Sequence, residues 1–213
     1  DFIRGRFLLS GSLFMIAYFL HRKITFRDNQ KIGIAIHLNN KNDIRKIYQK
    51  VKNYPDFIHI DLIDETYNET NISTDINKIE EIKKVWPNKK LQVHIMSKYP
   101  ENWIEKIKHL NCEIYFHYEN ENRFNELMHE YRNFSIGPVV GLDTTEKDIR
   151  LIAEIASKIM VLCIENPGIS GQSFDVRVAE TIKTIAKETK GKNIQIVLDG
   201  GLTPEIVSKF DAD

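Results

Sequence analysis

Cysteine is scarce in this sequence of 213 residues, and neither sign of charge dominates it. Its two cysteines, Cys112 and Cys163, are too few for a disulfide framework, so we expect a reducing compartment, the cytoplasm. The 30 basic and 30 acidic residues cancel. This balance argues against nucleic acid as a partner, because proteins that bind it usually carry a basic excess. With 42% apolar and 28% charged residues, the composition is typical of a globular protein and excludes a disordered one.

The sequence also lacks an apolar run of the length that a membrane-spanning helix usually needs, about 20 residues. Its longest uncharged apolar run, residues 7–20 (FLLSGSLFMIAYFL), has 14. Basic residues flank both sides, and no A-x-A-like cleavage site for a signal peptidase follows. We interpret residues 1–30 as an apolar helical leader, which either associates with a membrane through residues 7–20 or forms an ordinary amphipathic helix. The stretch 18–26 (YFLHRKITF) weakly resembles the end of a GtrA-like membrane domain.

From residue 31 onward, short apolar runs alternate with helical patterns. Such runs are typical of strands that are buried on both faces of a parallel sheet. The seven runs are residues 31–38, 57–63, 91–96, 113–118, 136–142, 159–164 and 194–199. Thr145 with Asp148 predicts a capping box, and Thr203 before Pro204 predicts a second helix start. The alternation of strands and helices predicts a parallel α/β fold.

A glycine-rich turn after the first run, which marks many open nucleotide-binding sheets, is absent. Residues 39–42 (NNKN) stand there instead. Polar residues at the ends of several strands are typical of a TIM (β/α)₈ barrel, and we predict this fold for residues 31–213. Residues 209–213 (KFDAD) stand where the eighth strand would begin, so the predicted barrel is truncated before that strand. Its open edges would be prone to aggregation. We therefore expect either a longer natural product or poor folding of this chain alone.

Histidine and aspartate stand at or near the ends of three runs. His59 and Asp61 are two residues apart in a strand, so their side chains face the same side. His94 lies near the end of the third run, and Asp199 ends the seventh. In a barrel these ends converge at one mouth, where two imidazoles and two carboxylates make a site for zinc, iron, manganese or cobalt. Taken singly, each residue also fits a core position or a turn, so the joint placement carries the prediction.

A loop with two glycines, residues 166–174 (NPGISGQSF), follows the sixth run. Gly168 and Gly171 permit backbone conformations that are closed to other residues, and their N–H groups can approach an anion closely. Phosphate commonly binds near the loops after the last strands of a barrel. The loop therefore indicates a phosphate site, with a merely flexible loop as the alternative. His37 and His117 also end apolar runs, but nothing in the spacing assigns them to either site.

Over about residues 31–213 the chain resembles the ribulose-phosphate 3-epimerase family. The matching stretches are HIDLID (59–64), QVHIM (92–96), YPE (99–101), FHYEN (116–120), NPGISGQSF (166–174) and LDGG (198–201). The resemblance implies an isomerase of carbohydrate metabolism, in the pentose phosphate pathway. Its reaction would be metal-dependent epimerisation at C3 of a ketose phosphate, from D-ribulose 5-phosphate to D-xylulose 5-phosphate. It also implies a small sugar-phosphate substrate as partner, and a homo-oligomer if the barrel is complete.

The resemblance also assigns roles to individual residues. Asp61 and Asp199 would be the two catalytic acid/base groups. The ligands of one divalent metal ion would be His59, Asp61, His94 and Asp199. The substrate would be bound by His94, Gly168, Ile169, Ser170, Gly171, Gly200 and Gly201. Met96 would pack beside the reaction centre.

The surroundings of these residues depart from the family pattern. Ala35 stands where the family's first strand offers a serine, and residues 65–70 (ETYNET) replace a glycine followed by Phe-Val-Pro-Asn. Residues 169–170 are Ile-Ser where Phe-Gly is usual, and two methionines are replaced by Ile63 and Cys163. The alternative function is therefore a catalytically impaired, sugar-phosphate-binding barrel attached to a membrane protein. A phosphate-binding barrel enzyme without a metal is a third alternative, which the four ligands disfavour.

Overall fold

The computed structural model describes residues 5–9, 31–38, 43–118 and 121–207. Their strands form a closed, entirely parallel barrel in chain order. The strands are β1 (Gly5–Leu9), β2 (Lys31–His37), β3 (Phe57–Ile63), β4 (Lys90–Met96), β5 (Glu113–His117), β6 (Ile136–Val140), β7 (Lys158–Leu162) and β8 (Gln195–Asp199). The helices are α1 (Ile44–Val51), α2 (Asn77–Val85), α3 (Pro100–Ile107) with a 3₁₀ turn (Lys108–Leu110), α4 (Glu121–Glu130), α5 (Glu146–Ile155), α6 (Val178–Glu188) and α7 (Pro204–Val207). The predicted α/β barrel is confirmed, and so are the seven strands after residue 31.

Local sequence explains where the helices begin. Thr145 caps α5, and its hydroxyl accepts a hydrogen bond from the Asp148 backbone N–H, as the capping box predicts. Thr203 caps α7 in the same manner, because its hydroxyl accepts a hydrogen bond of 3.3 Å from the Ile206 backbone N–H. Asp43 caps α1 by accepting from the Lys46 N–H. These caps fix the helix starts, and each of these helices therefore begins at a defined distance from the preceding strand.

Alternation along the strands separates two buried layers. Outward-facing residues such as Ile58 and Ile60 pack with the helices, and every residue of β3 is buried. A smaller cluster, which includes Phe57, Tyr115 and Val197, packs separately from that layer. Residues two apart along a strand face the same side of the sheet. Phe57, His59 and Asp61 of β3 therefore face the same side, in that order toward the carboxyl end of the strand. The interior packing thus supports the side chains at the mouth from below.

The strand β1 closes the barrel. It pairs in parallel with β2, from Arg6 opposite Lys31 to Leu9 opposite Ile34. On its other side it pairs with β8, with Gly5 opposite Ile196. Residues 31–207 supply seven strands, as predicted for a barrel truncated before its eighth strand. The predicted helical leader is wrong for residues 5–9, which form a strand between β8 and β2. The physical reason is that the edges of β8 and β2 both have backbone groups to pair, and a short extended segment satisfies both.

Most of the predicted leader, residues 10–30, lies outside the described residues. Among the helices that the structure describes, none has both the length and the apolar character needed to cross a membrane. The association of residues 7–20 with a membrane stays a prediction, and so does the division of the chain into a leader and a barrel domain near residue 31.

A group of polar side chains, of which all but that of Lys90 are buried, lies at the amino ends of the strands. We call Lys90, Gln92, Glu113 and Lys158 the basal cluster. The Glu113 carboxylate accepts a hydrogen bond of 2.7 Å from Gln92 Nε2. It lies 2.6 Å from Lys90 Nζ and 3.3 Å from Lys158 Nζ. Glu113 is fully buried, and the two ammonium groups balance its charge.

Candidate metal centre and anion loop

Four side chains from three strands meet inside the mouth of the barrel. We call His59, Asp61, His94 and Asp199 the mouth cluster. The register places Asp61 of β3 directly beside His94 of β4, while Asp199 is the last residue of β8. One ligand atom from each of the four lies within 4.8 Å of the others, and all four residues are buried. The structure thus brings together the four residues for which the sequence predicted metal binding, and their roles stay a prediction.

The two imidazoles of the mouth cluster each face both carboxylates. His59 Nε2 lies 3.2 Å from Asp61 Oδ1 and 3.7 Å from Asp199 Oδ2. His94 Nδ1 lies 3.6 Å from Asp61 Oδ1 and 3.5 Å from Asp199 Oδ2. The two nitrogens and two oxygens therefore surround one point, and together they form a donor set for a single ion.

Burial and charge act in opposite directions on these groups. Burial opposes the charge of Asp61, but the neighbouring imidazoles of His59 and His94 outweigh it and hold the pKa of Asp61 far below its usual range. Burial likewise opposes the charge of His94, but the carboxylates of Asp199 and Asp61 outweigh it and raise the pKa of His94 to about 9. Asp61 is therefore ionised at neutral pH, and the pocket attracts positive charge.

The donor set fits a divalent cation. His94 Nδ1 is buried without a hydrogen-bond partner, because the nearest carboxylate oxygens lie at 3.5 Å or more. Among the described residues, neither Asp61 nor Asp199 has an ion pair with lysine or arginine. A metal ion placed among these atoms would satisfy the orphaned nitrogen and neutralise both carboxylates. Two histidines and two aspartates suit zinc, iron, manganese or cobalt.

A solvent-open cleft with about 470 Å³ of free space lies above the mouth cluster. Its lining joins Asp61, His94 and Asp199 to the loop of residues 166–174. The remaining residues of the predicted substrate site all contribute to it: Gly168, Ile169, Ser170, Gly171, Gly200 and Gly201. Met96 also lines the cleft, as do Leu162 and Ile164 near Cys163. The structure thus places the predicted metal and phosphate residues around one space.

The conformation of the 166–174 loop depends on glycine and on one glutamine. Gly168 and Gly171 have φ of 78° and 83°, and Gly201, which faces the loop, has φ of 64°. A Cβ on Gly201 would lie 2.2 Å from the Phe174 backbone nitrogen, so only glycine allows the loop to approach so closely. The Gln172 side chain donates to the carbonyl oxygens of Asn166 and Ile169, at 2.6 Å and 2.7 Å, and thereby folds the loop on itself.

Sequence reasoning missed three residues near the mouth cluster. His37 Nε2 lies 3.5 Å from Asp61 Oδ2, and His37 lines the cleft with Ala35. His117 Nε2 lies 2.9 Å from His94 Nε2, and the Tyr67 hydroxyl lies 3.3 Å from the same His117 nitrogen. A signal was present for the two histidines, since both end apolar runs. The sequence carried no signal for Tyr67, because its position depends on how the loop after β3 folds.

A parallel barrel with a buried His/Asp cluster and a glycine-containing loop at its mouth defines a class of barrel enzymes that act on phosphorylated substrates. The family model described as "Ribulose-phosphate 3 epimerase family" matches residues 31–213. The chain belongs to the ribulose-phosphate 3-epimerase family, an isomerase family. The match begins at β2, so β1 lies outside it. No curated protein sequence matches the chain.

Proposed function

We propose that the protein catalyses metal-dependent epimerisation at C3 of a ketose phosphate, interconverting D-ribulose 5-phosphate and D-xylulose 5-phosphate. The observation that carries this proposal is the convergence of four buried ligand atoms within 4.8 Å, beside a cleft that the 166–174 loop also lines. Family membership supports the same reaction type. We further propose that the protein is a cytoplasmic homo-oligomer.

The two carboxylates have the placement that such a reaction needs. Asp61 lies on β3 and Asp199 on β8, and two strands, β1 and β2, separate β3 from β8 around the ring. Both line the cleft from different directions. A substrate carbon held between them therefore presents one face to each carboxylate, and inversion requires proton removal on one face and delivery on the other.

Asp61 acts as the base in the proposed forward step. Because hydrogen bonding and charge attraction from imidazoles hold its pKa low, Asp61 is ionised and able to accept the C3 proton. The electron pair left on carbon delocalises into the adjacent carbonyl and gives an enediolate. Asp199, carrying a proton, then delivers it to the opposite face of C3. This leaves Asp61 protonated and Asp199 ionised, and proton exchange with water in the solvent-open cleft restores both groups before the next forward turnover. A divalent metal held by the mouth cluster would supply Lewis-acid stabilisation of the negative charge on the substrate oxygens.

The phosphate group is expected at the 166–174 loop. The positive φ of Gly168, Gly171, Gly200 and Gly201 belongs to backbone conformations in which N–H groups can form an anion-binding nest. Ile169 is 45% exposed at this loop, so the side chain there adds apolar surface instead of a charge. Binding of the phosphate would rest on backbone N–H groups.

A catalytically impaired sugar-phosphate-binding barrel is the second candidate. The observation that favours it is Ala35, which lines the cleft with a methyl group and offers no polar side-chain atom to a substrate. Under this alternative the mouth cluster and the loop persist as a binding site, without turnover.

Metal content and proton exchange test the two candidates together. The purified protein should carry about one divalent transition metal per chain. It should also exchange the C3 proton of D-ribulose 5-phosphate with heavy water, as NMR would detect. The double variant Asp61→Asn/Asp199→Asn should lose both properties, whereas the exposed-site control Asp143→Asn should keep them. Tight binding of the sugar phosphate without exchange would favour the impaired barrel, and absence of both metal and exchange would refute the enzyme.

A further inference from the structure

The imidazole of His94 has two nitrogens with different surroundings. Nδ1 faces the carboxylates of Asp61 and Asp199 and has no hydrogen-bond partner. Nε2 points the other way, to His117 Nε2 at 2.9 Å. A histidine can ligate a metal through Nδ1 only if that nitrogen carries a lone pair, so the proton of a neutral ring must then reside on Nε2.

His117 is placed to hold the proton of His94 on Nε2. The two rings are only 23° from parallel and their centroids are 5.0 Å apart, which fits an N–H···N hydrogen bond lying close to the ring planes. Both residues are buried, with His94 at 0% and His117 at 4% exposure, so little solvent competes for the bond. If His94 Nε2–H donates, His117 accepts through its own Nε2 and carries its proton on Nδ1.

Tyr67 continues this arrangement. Its hydroxyl lies 3.4 Å from His117 Nδ1 and 3.3 Å from His117 Nε2, and its ring centroid lies 4.9 Å from that of His117. Because Nε2 already faces His94 at 2.9 Å, Nδ1 is the nitrogen that remains for the hydroxyl. The tyrosine oxygen can accept the Nδ1 proton, which keeps His117 in the tautomer whose Nε2 accepts from His94. The hydrogen bond between Tyr67 and His117 and the one between His117 and His94 thus favour the same positions for the protons.

The loop that carries Tyr67 is fixed by a buried aspartate. Asp64, 5% exposed, accepts hydrogen bonds from Ser97 Oγ at 2.5 Å and from Trp103 Nε1 at 2.7 Å. Its other oxygen accepts from the Thr66 backbone N–H at 3.0 Å and from the Thr66 hydroxyl. The Tyr67 backbone N–H donates to the Asp64 carbonyl at 3.1 Å. The position of Tyr67 therefore follows from a rigid turn.

We propose that His117 and Tyr67 are positioning residues, which orient His94 and fix its tautomer so that Nδ1 ligates the metal. The proposal rests on the metal site of the proposed function and adds the two residues that prepare it. Neither residue is assigned contact with the substrate or with the ion.

Metal affinity of purified variants tests this inference without an activity assay. Zn²⁺ binding would be measured by competition with a chromophoric chelator, and the geometry of the site by the visible absorption of the Co²⁺-loaded protein. His117→Leu should weaken Zn²⁺ binding by about 10- to 100-fold, the usual effect of losing a hydrogen-bond partner of a ligating histidine. His117→Gln, whose amide oxygen can accept from His94, should recover most of the affinity. Tyr67→Phe should weaken binding by about 2- to 10-fold, the equivalent of one neutral hydrogen bond.

Tyr118→Phe is the matched control for Tyr67→Phe. Tyr118 follows His117 in the chain, but its hydroxyl donates to Asp148 at 3.1 Å, away from the mouth cluster, so Zn²⁺ affinity should not change. Unchanged Zn²⁺ affinity and an unchanged Co²⁺ spectrum in His117→Gln, His117→Leu and Tyr67→Phe would overturn the inference, even if their melting temperatures fell. If the unmodified protein binds Zn²⁺ but does not epimerise ketose phosphates, the proposed reaction fails while the positioning role stands on the affinities. An unmodified protein that binds no metal overturns both.

Discussion

At the amino ends of the strands the buried Glu113 carboxylate lies beside the ammonium groups of Lys90 and Lys158. At the carboxyl ends, Asp61 and Asp199 pair with imidazoles among the side chains that the structure describes. Both clusters are taken out of water by the same barrel, and burying an unpaired charge costs several kcal/mol. The basal cluster meets this cost within the chain, whereas the mouth cluster does so only in part.

The basal cluster therefore uses its charges to stabilise the fold, whereas the mouth cluster has charges that are available for binding. The charge of the Glu113 carboxylate is balanced by two lysines, so this carboxylate contributes to the fold. The two carboxylates of the mouth cluster have imidazoles as neighbours, and both imidazoles carry a buried nitrogen without a hydrogen bond, so this cluster retains the capacity to take up a cation and a substrate. We therefore expect changes at the base to alter stability and changes at the mouth to alter binding and turnover.

The largest effect should come from a change that affects both ends at once. Deletion of residues 1–9 removes β1 and leaves the edges of β2 and β8 without partners. We expect the truncated chain to lose cooperative unfolding and to aggregate, as measured by size-exclusion chromatography and thermal melting. Replacement of the same residues by an unrelated β-rich segment of equal length should restore part of the stability. A truncated chain that elutes and melts like the original would contradict closure by β1.

Glu113→Ala tests whether charge balance in the basal cluster stabilises the fold. It removes the buried carboxylate that pairs with Lys158, whose side chain is 9% exposed. Breaking a buried pair in this way typically costs about 3–5 kcal/mol, so chemical denaturation should show a loss of this size. Glu180→Ala, at an exposed pair with Lys183, is the control and should cost about 0–1 kcal/mol. Zn²⁺ affinity of the folded Glu113→Ala protein should be unchanged, and a large loss of affinity would mean that the two ends are coupled.

The position of the mouth cluster was easier to predict from the sequence than that of the basal cluster. His59 and Asp61 share one face because they are two apart in an apolar run, and the ends of parallel strands in a barrel must converge. Glu113, Lys90 and Lys158 begin their strands, where polar residues are equally compatible with solvent. Only the register between strands reveals that they meet inside the barrel.

The closing strand could not be predicted for a different reason. Residues 5–9 belong to a longer apolar run, and apolar runs without periodicity do not distinguish a strand from a helix. The strand exists because the neighbouring edges of β8 and β2 need partners, which is a property of the assembled sheet. His117 and Tyr67 illustrate the same point, since they are 50 residues apart and meet only through the fold.

Gly201→Ala should separate the phosphate side of the mouth from the metal side. Its Cβ would collide with the backbone at Phe174, so the 166–174 loop must shift. We expect KM for the ketose phosphate to rise about tenfold or more, because misplacement of a substrate-holding loop is costly, while Zn²⁺ affinity stays near its original value. Gly191→Ala is the control: Gly191 has a similar φ of 77° but open space around it, so only a small loss of stability should follow. Equal KM values for the two variants would show that the loop does not hold the substrate.

The smallest expected effect is the pH dependence of the metal-free protein. The pKa of His94 is raised to about 9 from an ordinary value of 6.5, so its protonated form is favoured by folding. This contribution to stability is fully present below pH 6.5 and is lost as the pH rises through about 9. In the presence of a chelator, the free energy of unfolding should therefore fall between pH 7 and pH 9.5, as denaturant titrations would measure. His94→Gln should remove this fall, and His129→Gln, at an exposed histidine, should retain it. Saturating Zn²⁺ should reverse the trend because ligation requires the unprotonated ring, so an identical pH profile with and without the ion would contradict ligation through His94.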